Sequence, residues 1–383
     1  MKICIITSTR ADFGLLKNLI IGLKKNRKFI TKVIASGSHL SKNFGYTYNE
    51  IKKSGIKISA KIKSEFVRDD SVGVSKVMSS CITQTSKILK KLSPDLMIVL
   101  GDRYEILASV IGAHLSRIPV AHLHGGEATE GVTDEAIRHS ITKMSHIHFV
   151  AANEYKRKVI QLGESPKRVF NVGGLGVDSI KLTKFLSRNK LEKDLNFKFR
   201  KKNILINFHP ETLDKLSTKR KFNEVVGALK KFSKINFIFT MPNADLDSLI
   251  IFKMIKNFVK KNRNACYFVS MGQLHFLSCL KYVDGMIGNS SSGILEMPSF
   301  KKGTIDIGDR QRGRLKAKSI ISVKLSRKEI IKGINLLYSN KFQKKIKSTK
   351  NPYGEGGASK KIIKILMKTK LENILKKKFY SLR

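Results

Sequence analysis

Short apolar runs recur along the chain, each followed by a longer stretch with helical spacing, and this alternation leaves few folds open. Residues 2–7, 31–35, 96–100, 119–123, 146–150 and 168–172 read as strands, and 13–26, 73–92, 104–115 and 134–145 read as the helices between them. Parallel strands need a crossover, and the crossover helix lies on the sheet, so the rhythm predicts an α/β parallel sheet covered on both faces. A second series follows at 203–208, 236–241, 265–270, 283–287, 304–307 and 320–323. Between the two, 181–202 is rich in Lys and Asn with a broken apolar period, as expected where one unit gives way to another. The expected architecture is two doubly wound units with a cleft between them, and chemistry gathers beyond the C-terminal ends of such strands.

With 383 residues and 41% hydrophobic content, the chain can bury two cores. Its start, MKICIITSTR, has only Ile3 to Ile6 as an apolar run, and no segment approaches the roughly 20 apolar residues of a membrane span. A cytoplasmic protein with no membrane partner is expected. Cys4, Cys81, Cys266 and Cys279 stand singly, which fits a reducing compartment. The formal charge of +46 invites a nucleic-acid reading, but lysines are spread over nearly every amphipathic segment, with no basic motif interleaved with aromatics. No specific nucleic-acid partner is expected; the charge instead favours encounter with a small polyanionic substrate.

The motifs fall at predicted strand ends. In GNSSSGILE, 288–296, a strand turns through Ser290 and Ser291 into a helix, whose unpaired N–H groups suit a phosphate. Glu296, read as two turns in, suits sugar hydroxyls, so the pair suggests a nucleotide; an ordinary Ser-capped helix is the plainer reading. TSTRADFG after the first strand lacks GxGxxG, so no nicotinamide or flavin cofactor is expected there. Arg10 in that turn offers a fork for phosphate, or is a surface Arg beside a capping Asp12. GDRYE and HLHGGEATEGVTDEAIRH bring Asp102, Glu127, Glu130, Asp134 and Glu135 to adjacent strand ends. Grouped carboxylates raise one another's pKa toward the range useful for proton transfer; helix capping and an Asp102–Arg103 pair are the structural alternatives. His122 and His124 alternate as a metal-like pair, but no third ligand has settled spacing and no metal is expected. His209, exposed at a strand tip by Pro210, suits a departing phosphate or is a buried structural histidine. Arg310, Arg312 and Arg314 of IGDRQRGR form an anion cradle or a charged turn, and His275 of GQLHFLSCL lies where it could meet a base.

TSTRADFGLL, VLGDRYEI, HLHGGEATEG, DEAIRHSITKMSH, NFHPETL, IGNSSSGILEMPS, IGDRQRGR and NPYGEGGASKKI, in order through essentially the whole chain, resemble the hydrolysing UDP-N-acetylglucosamine 2-epimerases of bacterial sialic-acid synthesis. The resemblance implies a glycosyltransferase-B-type fold: a Rossmann-like domain at 1–178, a Rossmann-like UDP-binding domain at 179–355, and a last helix, 356–383, crossing back to the first. It implies conversion of UDP-N-acetylglucosamine and water to N-acetylmannosamine and UDP through 2-acetamidoglucal, without metal or nicotinamide, in a dimer or tetramer. Similar enzymes act on UDP-2,4-diacetamido-2,4,6-trideoxyglucose in legionaminic-acid synthesis; a glycosyltransferase is the more distant alternative. Carried over, Asp102, Glu127 and Asp134 are the acid/base residues and His209 steadies the departing phosphate. Ser290 and Ser291 hold phosphate, Glu296 the ribose, and Arg10 and Arg314 the charge. Some relatives have a catalytic Glu where this chain has His124. Either Glu127 or His124 takes its part, so which group is base and which acid stays open.

Overall fold

The computed structural model describes residues 1–41, 46–63, 70–129, 133–210, 217–242 and 247–382. The chain forms two compact units, one of residues 1–127, 134–181 and 353–383, the other of 128–133 and 182–352.

In the first unit β1 (Lys2–Thr7), β2 (Ile30–Ala35), β3 (Ala60–Lys61), β4 (Leu96–Leu100), β5 (Val120–Leu123), β6 (Ile147–Val150) and β7 (Val169–Asn171) make one parallel sheet in the order β3-β2-β1-β4-β5-β6-β7. Its central strands are buried on both faces, so they spell continuous apolar runs rather than an alternation. The helix Arg10–Lys25 leaves β1 through a capping box. Thr9 Oγ1 accepts from Asp12 N–H, an Asp12 carboxylate oxygen accepts from Thr9 N–H, and Lys24 and Lys25 complement the far end of the helix dipole. On that face the helix Ala358–Lys368 returns from the end of the chain and buries Ile362 and Leu366 among Leu16, Leu19 and Leu23. The opposite face is filled by Ser71–Leu92 and Tyr104–Leu115.

The second unit repeats the plan with β8 (Asn203–Asn207), β9 (Asn236–Thr240), β10 (Ala265–Phe268), β11 (Gly285–Gly288), β12 (Gly303–Ile307) and β13 (Ile320–Val323), all parallel, in the order β10-β9-β8-β11-β12-β13. The strand order reverses between β1 and β4 in one sheet and between β8 and β11 in the other. In sheets of this kind, ligands bind beyond the strand ends where the order reverses. Both sheets agree with the expected α/β doubly wound class. Among the described residues, no helix is long and apolar enough to cross a membrane.

Candidate active site

In the first unit the acidic residues converge on a cation that sequence reasoning did not single out. Arg138 lies on the helix Asp134–Met144, three residues after Glu135, and is 1% exposed. Its Nε donates to Asp102 Oδ2 at 3.0 Å and its Nη2 to the same oxygen; Nη1 donates to Glu135 Oε2 at 2.7 Å and to the Glu127 carbonyl at 2.6 Å. Burial alone would pull this guanidinium down, but Asp102, Glu127 and Glu135 together raise it above its ordinary value, so it is charged at every accessible pH. One buried cation thus ties the end of β4, the turn after β5 and the first turn of the next helix into a single charge network. Asp134 opens that helix and is partly buried, with the favourable N-terminal dipole. Glu130 and Gly131 lie outside the described residues.

The two histidines do not sit in the same-facing strand alternation that their spacing suggested. His122 is fully buried on β5; its Nε2–H donates to the Gly101 carbonyl at 2.8 Å and its Nδ1 accepts from the Thr142 hydroxyl at 3.0 Å. Burial pushes it down to about 3, so it is neutral and fixes the carbonyl next to Asp102. His124 has left the strand with φ +65, so the two rings do not share the alternation of one strand. Its Nδ1 lies 2.7 Å from Glu127 Oε1, and its Nε2 faces Leu175 N–H at 3.4 Å. Both nitrogens of each ring are engaged in hydrogen bonds within the unit. The turn between His124 and Glu127 crosses the helix Asn153–Gln161 closely. Gly126, at φ +76, would bring a Cβ to 2.5 Å from the Tyr155 carbonyl, so no side chain fits. Arg10 is the first residue of its helix; burial lowers its pKa and Glu50 is the charge that opposes this.

In the second unit the strand ends flanking the reversal are stitched by one side chain. Asn289, buried just past β11, accepts from His209 N–H at 2.7 Å through Oδ1 and donates to the His209 carbonyl at 2.9 Å through Nδ2. Its own carbonyl accepts from Gln311 Nε2 at 2.8 Å and Arg310 Nη1 at 3.2 Å. The sites of three separate motifs, His209, the 288–296 turn and the 309–314 turn, are therefore adjacent. Ser290 caps the helix Ser291–Leu295, its Oγ accepting from Ser292 N–H. That helix has five residues, so Glu296 is corrected from an interior position two turns in to the residue that ends it, where it is buried. Arg314 closes the 309–314 turn, its N–H donating to the Gln311 carbonyl. Two buried acceptors, Asn207 Oδ1 and Gln311 Oε1, make no hydrogen bond among the described residues and suit the N–H or hydroxyl groups of a ligand. His275 is seated against Asp194 of the helix Arg188–Asp194, at 3.2 Å. Asn207, Asn289 and Gln311, like Arg138, went unnamed in the sequence; the adjacency of INFH and GNSSS to apolar runs was the signal available.

A family model described as UDP-N-acetylglucosamine 2-epimerase matches residues 22–367. A Campylobacter jejuni protein named GDP/UDP-N,N'-diacetylbacillosamine 2-epimerase (hydrolyzing) is 42% identical over 100% of this chain and 99% of its own. A Neisseria meningitidis serogroup B UDP-N-acetylglucosamine 2-epimerase is 32% identical over 87% of this chain and 86% of its own. Among solved structures, UDP-GlcNAc 2-epimerase from Neisseria meningitidis bound to UDP-GlcNAc superposes with a TM-score of 0.83 at 21% identity, covering 96% of this chain and 100% of that one. The chain belongs to the UDP-N-acetylglucosamine 2-epimerase family.

Proposed function

We propose that this member of the family is a hydrolysing 2-epimerase that takes a UDP-2-acetamido sugar and water to UDP and the free C2-epimeric sugar. The observation that carries the reading is the gathering of Asp102, Glu127 and Glu135 about the buried Arg138 at the strand ends of the first unit. Removal of the weakly acidic C2 proton needs a fixed carboxylate, and a buried cation keeps such groups ionised and oriented. In the proposed sequence one carboxylate accepts the C2 proton while the C1–O bond breaks. The C2–H electrons become the C1=C2 bond of a glycal, and UDP leaves with the C1–O pair. Water then adds, its hydroxyl to C1 and a proton to C2 from the opposite face. Asp102, Glu127 and Asp134 supply the acids and bases. His209, held by Asn289, steadies the leaving diphosphate with Ser290, Ser291 and the amides around them; Arg10 and Arg314 balance its charge and Glu296 accepts from the ribose.

For the sugar, the name of the 42% identical Campylobacter relative favours N,N'-diacetylbacillosamine, the 2,4-diacetamido-2,4,6-trideoxy sugar. N-acetylglucosamine, yielding N-acetylmannosamine, is the second reading, carried by the Neisseria relative. Incubation with each sugar nucleotide in deuterated water, followed by proton NMR, tests both. The expected result is UDP, a free sugar of inverted C2 configuration and deuterium at C2. A product still bound to UDP, or C2 without deuterium, overturns the hydrolytic assignment.

A further inference from the structure

We propose that His124 is a positioning residue for Glu127: its Nδ1–H holds the carboxylate in place, and the tautomer that provides this proton is set by the backbone N–H of Leu175. The inference rests on the reading of Glu127 as an acid/base group of the epimerase. A backbone amide can only donate, so His124 Nε2, which faces Leu175 N–H at 3.4 Å, is an acceptor and carries no proton. The ring proton is then on Nδ1 and is donated to Glu127 Oε1 at 2.7 Å, in surroundings where the glutamate is 2% exposed. A hydrogen bond to the charged form of a buried carboxylate stabilises that form and limits its rotamers. The backbone is built for this contact. His124 sits at φ +65, where histidine and asparagine are tolerated far better than most residues, and the ring meets Glu127, three residues on. The neighbouring His122 has the opposite tautomer, Nε2–H donating to the Gly101 carbonyl, so one strand end presents two histidines with complementary protonation.

The test uses the full-length protein. Asparagine accepts the same backbone conformation and places an amide N–H near the position of Nδ1, whereas glutamine reaches the position of Nε2 and removes the donor that Nδ1–H gives Glu127 Oε1. H124N is expected to retain at least about a tenth of kcat, while H124Q and H124G each lose about 100-fold with KM changed less than about threefold. H124G removes the side chain without straining the turn, so it stands in if another variant fails to fold. The double variant H124G/E127Q is expected to be no slower than E127Q alone. Long-range proton–nitrogen NMR of the nitrogen-labelled protein is expected to show one ring in the Nδ1–H tautomer that disappears in H124N. Loss of activity in H124N as large as in H124G, or additive losses in the double variant, overturns the proposal by making His124 itself the group that meets substrate. An Nε2–H tautomer for His124 overturns it independently of turnover. A wild-type protein inactive on both sugar nucleotides that still shows the Nδ1–H signal overturns the epimerase reading and leaves the dyad standing.

Discussion

At the scale of single residues, the candidate site in each unit turns on one residue, Arg138 in the first and Gly288 in the second. Arg138 neutralises Asp102 and Glu135 and binds the Glu127 carbonyl from a fully buried position. Replacing it by methionine roughly keeps the volume but removes the buried cation that Asp102 and Glu135 share. Removing one partner of such a pair costs about 3–5 kcal/mol, so R138M is expected to lower the unfolding free energy of the first unit in urea by that amount and to abolish turnover. A drop below about 1 kcal/mol would show that the network is solvated. Gly288 acts through geometry instead. Its φ is +145 and a Cβ would penetrate the Asn207 carbonyl oxygen, so the two reversing strands approach as closely as they do only because no side chain intervenes. G288A is expected to push Asn289 off His209, with hydrogen–deuterium exchange rising at 207–209 and 288–292 and kcat falling at least tenfold. Unchanged exchange in those segments would sink that account. Arg138 was not legible as a site residue, because sequence spacing marks an arginine on a helix but not which carboxylates and carbonyl its guanidinium reaches, and Gly288 was legible only as the start of the 288–296 turn.

Elements were read most faithfully where burial is symmetric. β1, β4, β8 and β9 spell continuous apolar runs because helices cover both faces, and the sequence boundaries agree with the structure to within one residue. The two-residue β3 has no such run and was invisible. The helix after β11 was read too long. Met297 precedes Pro298, whose ring disfavours helical backbone in the residue before it, and the chain passes from Leu295 through Glu296 into a short 3-10 turn, Met297–Phe300. The final helix, 358–368, illustrates how an element is held by one stripe. Ile362 and Leu366 are fully buried against the helix Arg10–Lys25, whereas Lys360 and Lys364 face outward or lie at the rim. I362A is expected to destabilise the first unit by about 2–5 kcal/mol, through lost transfer and the cavity left behind, and K364A by less than about 0.5 kcal/mol. Urea unfolding followed by circular dichroism separates them, and equal effects would mean that the helix is not part of the first unit's core.

At the scale of the whole molecule, the two units differ in how acid reaches them, because seven of the nine histidines belong to the first: only His209 and His275 lie in the second. Burial pushes His39 to about 4, His122 to about 3 and His146 to about 4, and lowers His148 as well, so these rings are neutral when folded. The unfolded chain binds their protons near pH 6.5. Each therefore contributes stability that is intact above that pH and is lost as the pH falls through its folded value. A proton bound only by the unfolded chain changes stability by about 1.4 kcal/mol per pH unit, so His39, His122 and His146 together remove roughly 4 kcal/mol per unit once below pH 6. Against an ordinary total of about 5–15 kcal/mol, the first unit should lose its fold around pH 4–5. Glu164 adds a later loss. Burial alone would raise it, but hydrogen bonds from His148, Lys377 and Lys143 hold it down to about 2, so its contribution is present above about 4.5 and disappears toward pH 2. In the second unit the carboxylates held low include Glu192, Asp194 and Glu329, paired with Arg188, Lys190 and Lys332, and they act below the histidine range, while burial lowers Lys302 only to about 8, well above it. Hydrogen–deuterium exchange across a pH series is expected to show β1, β4 and β5 exposed while β8, β9 and β11 remain protected. H39N should shift the first transition to lower pH, since one fewer buried ring must be charged. Simultaneous exposure of both sheets, or earlier exposure of β8 and β11, would show that carboxylates rather than histidines set the acid limit.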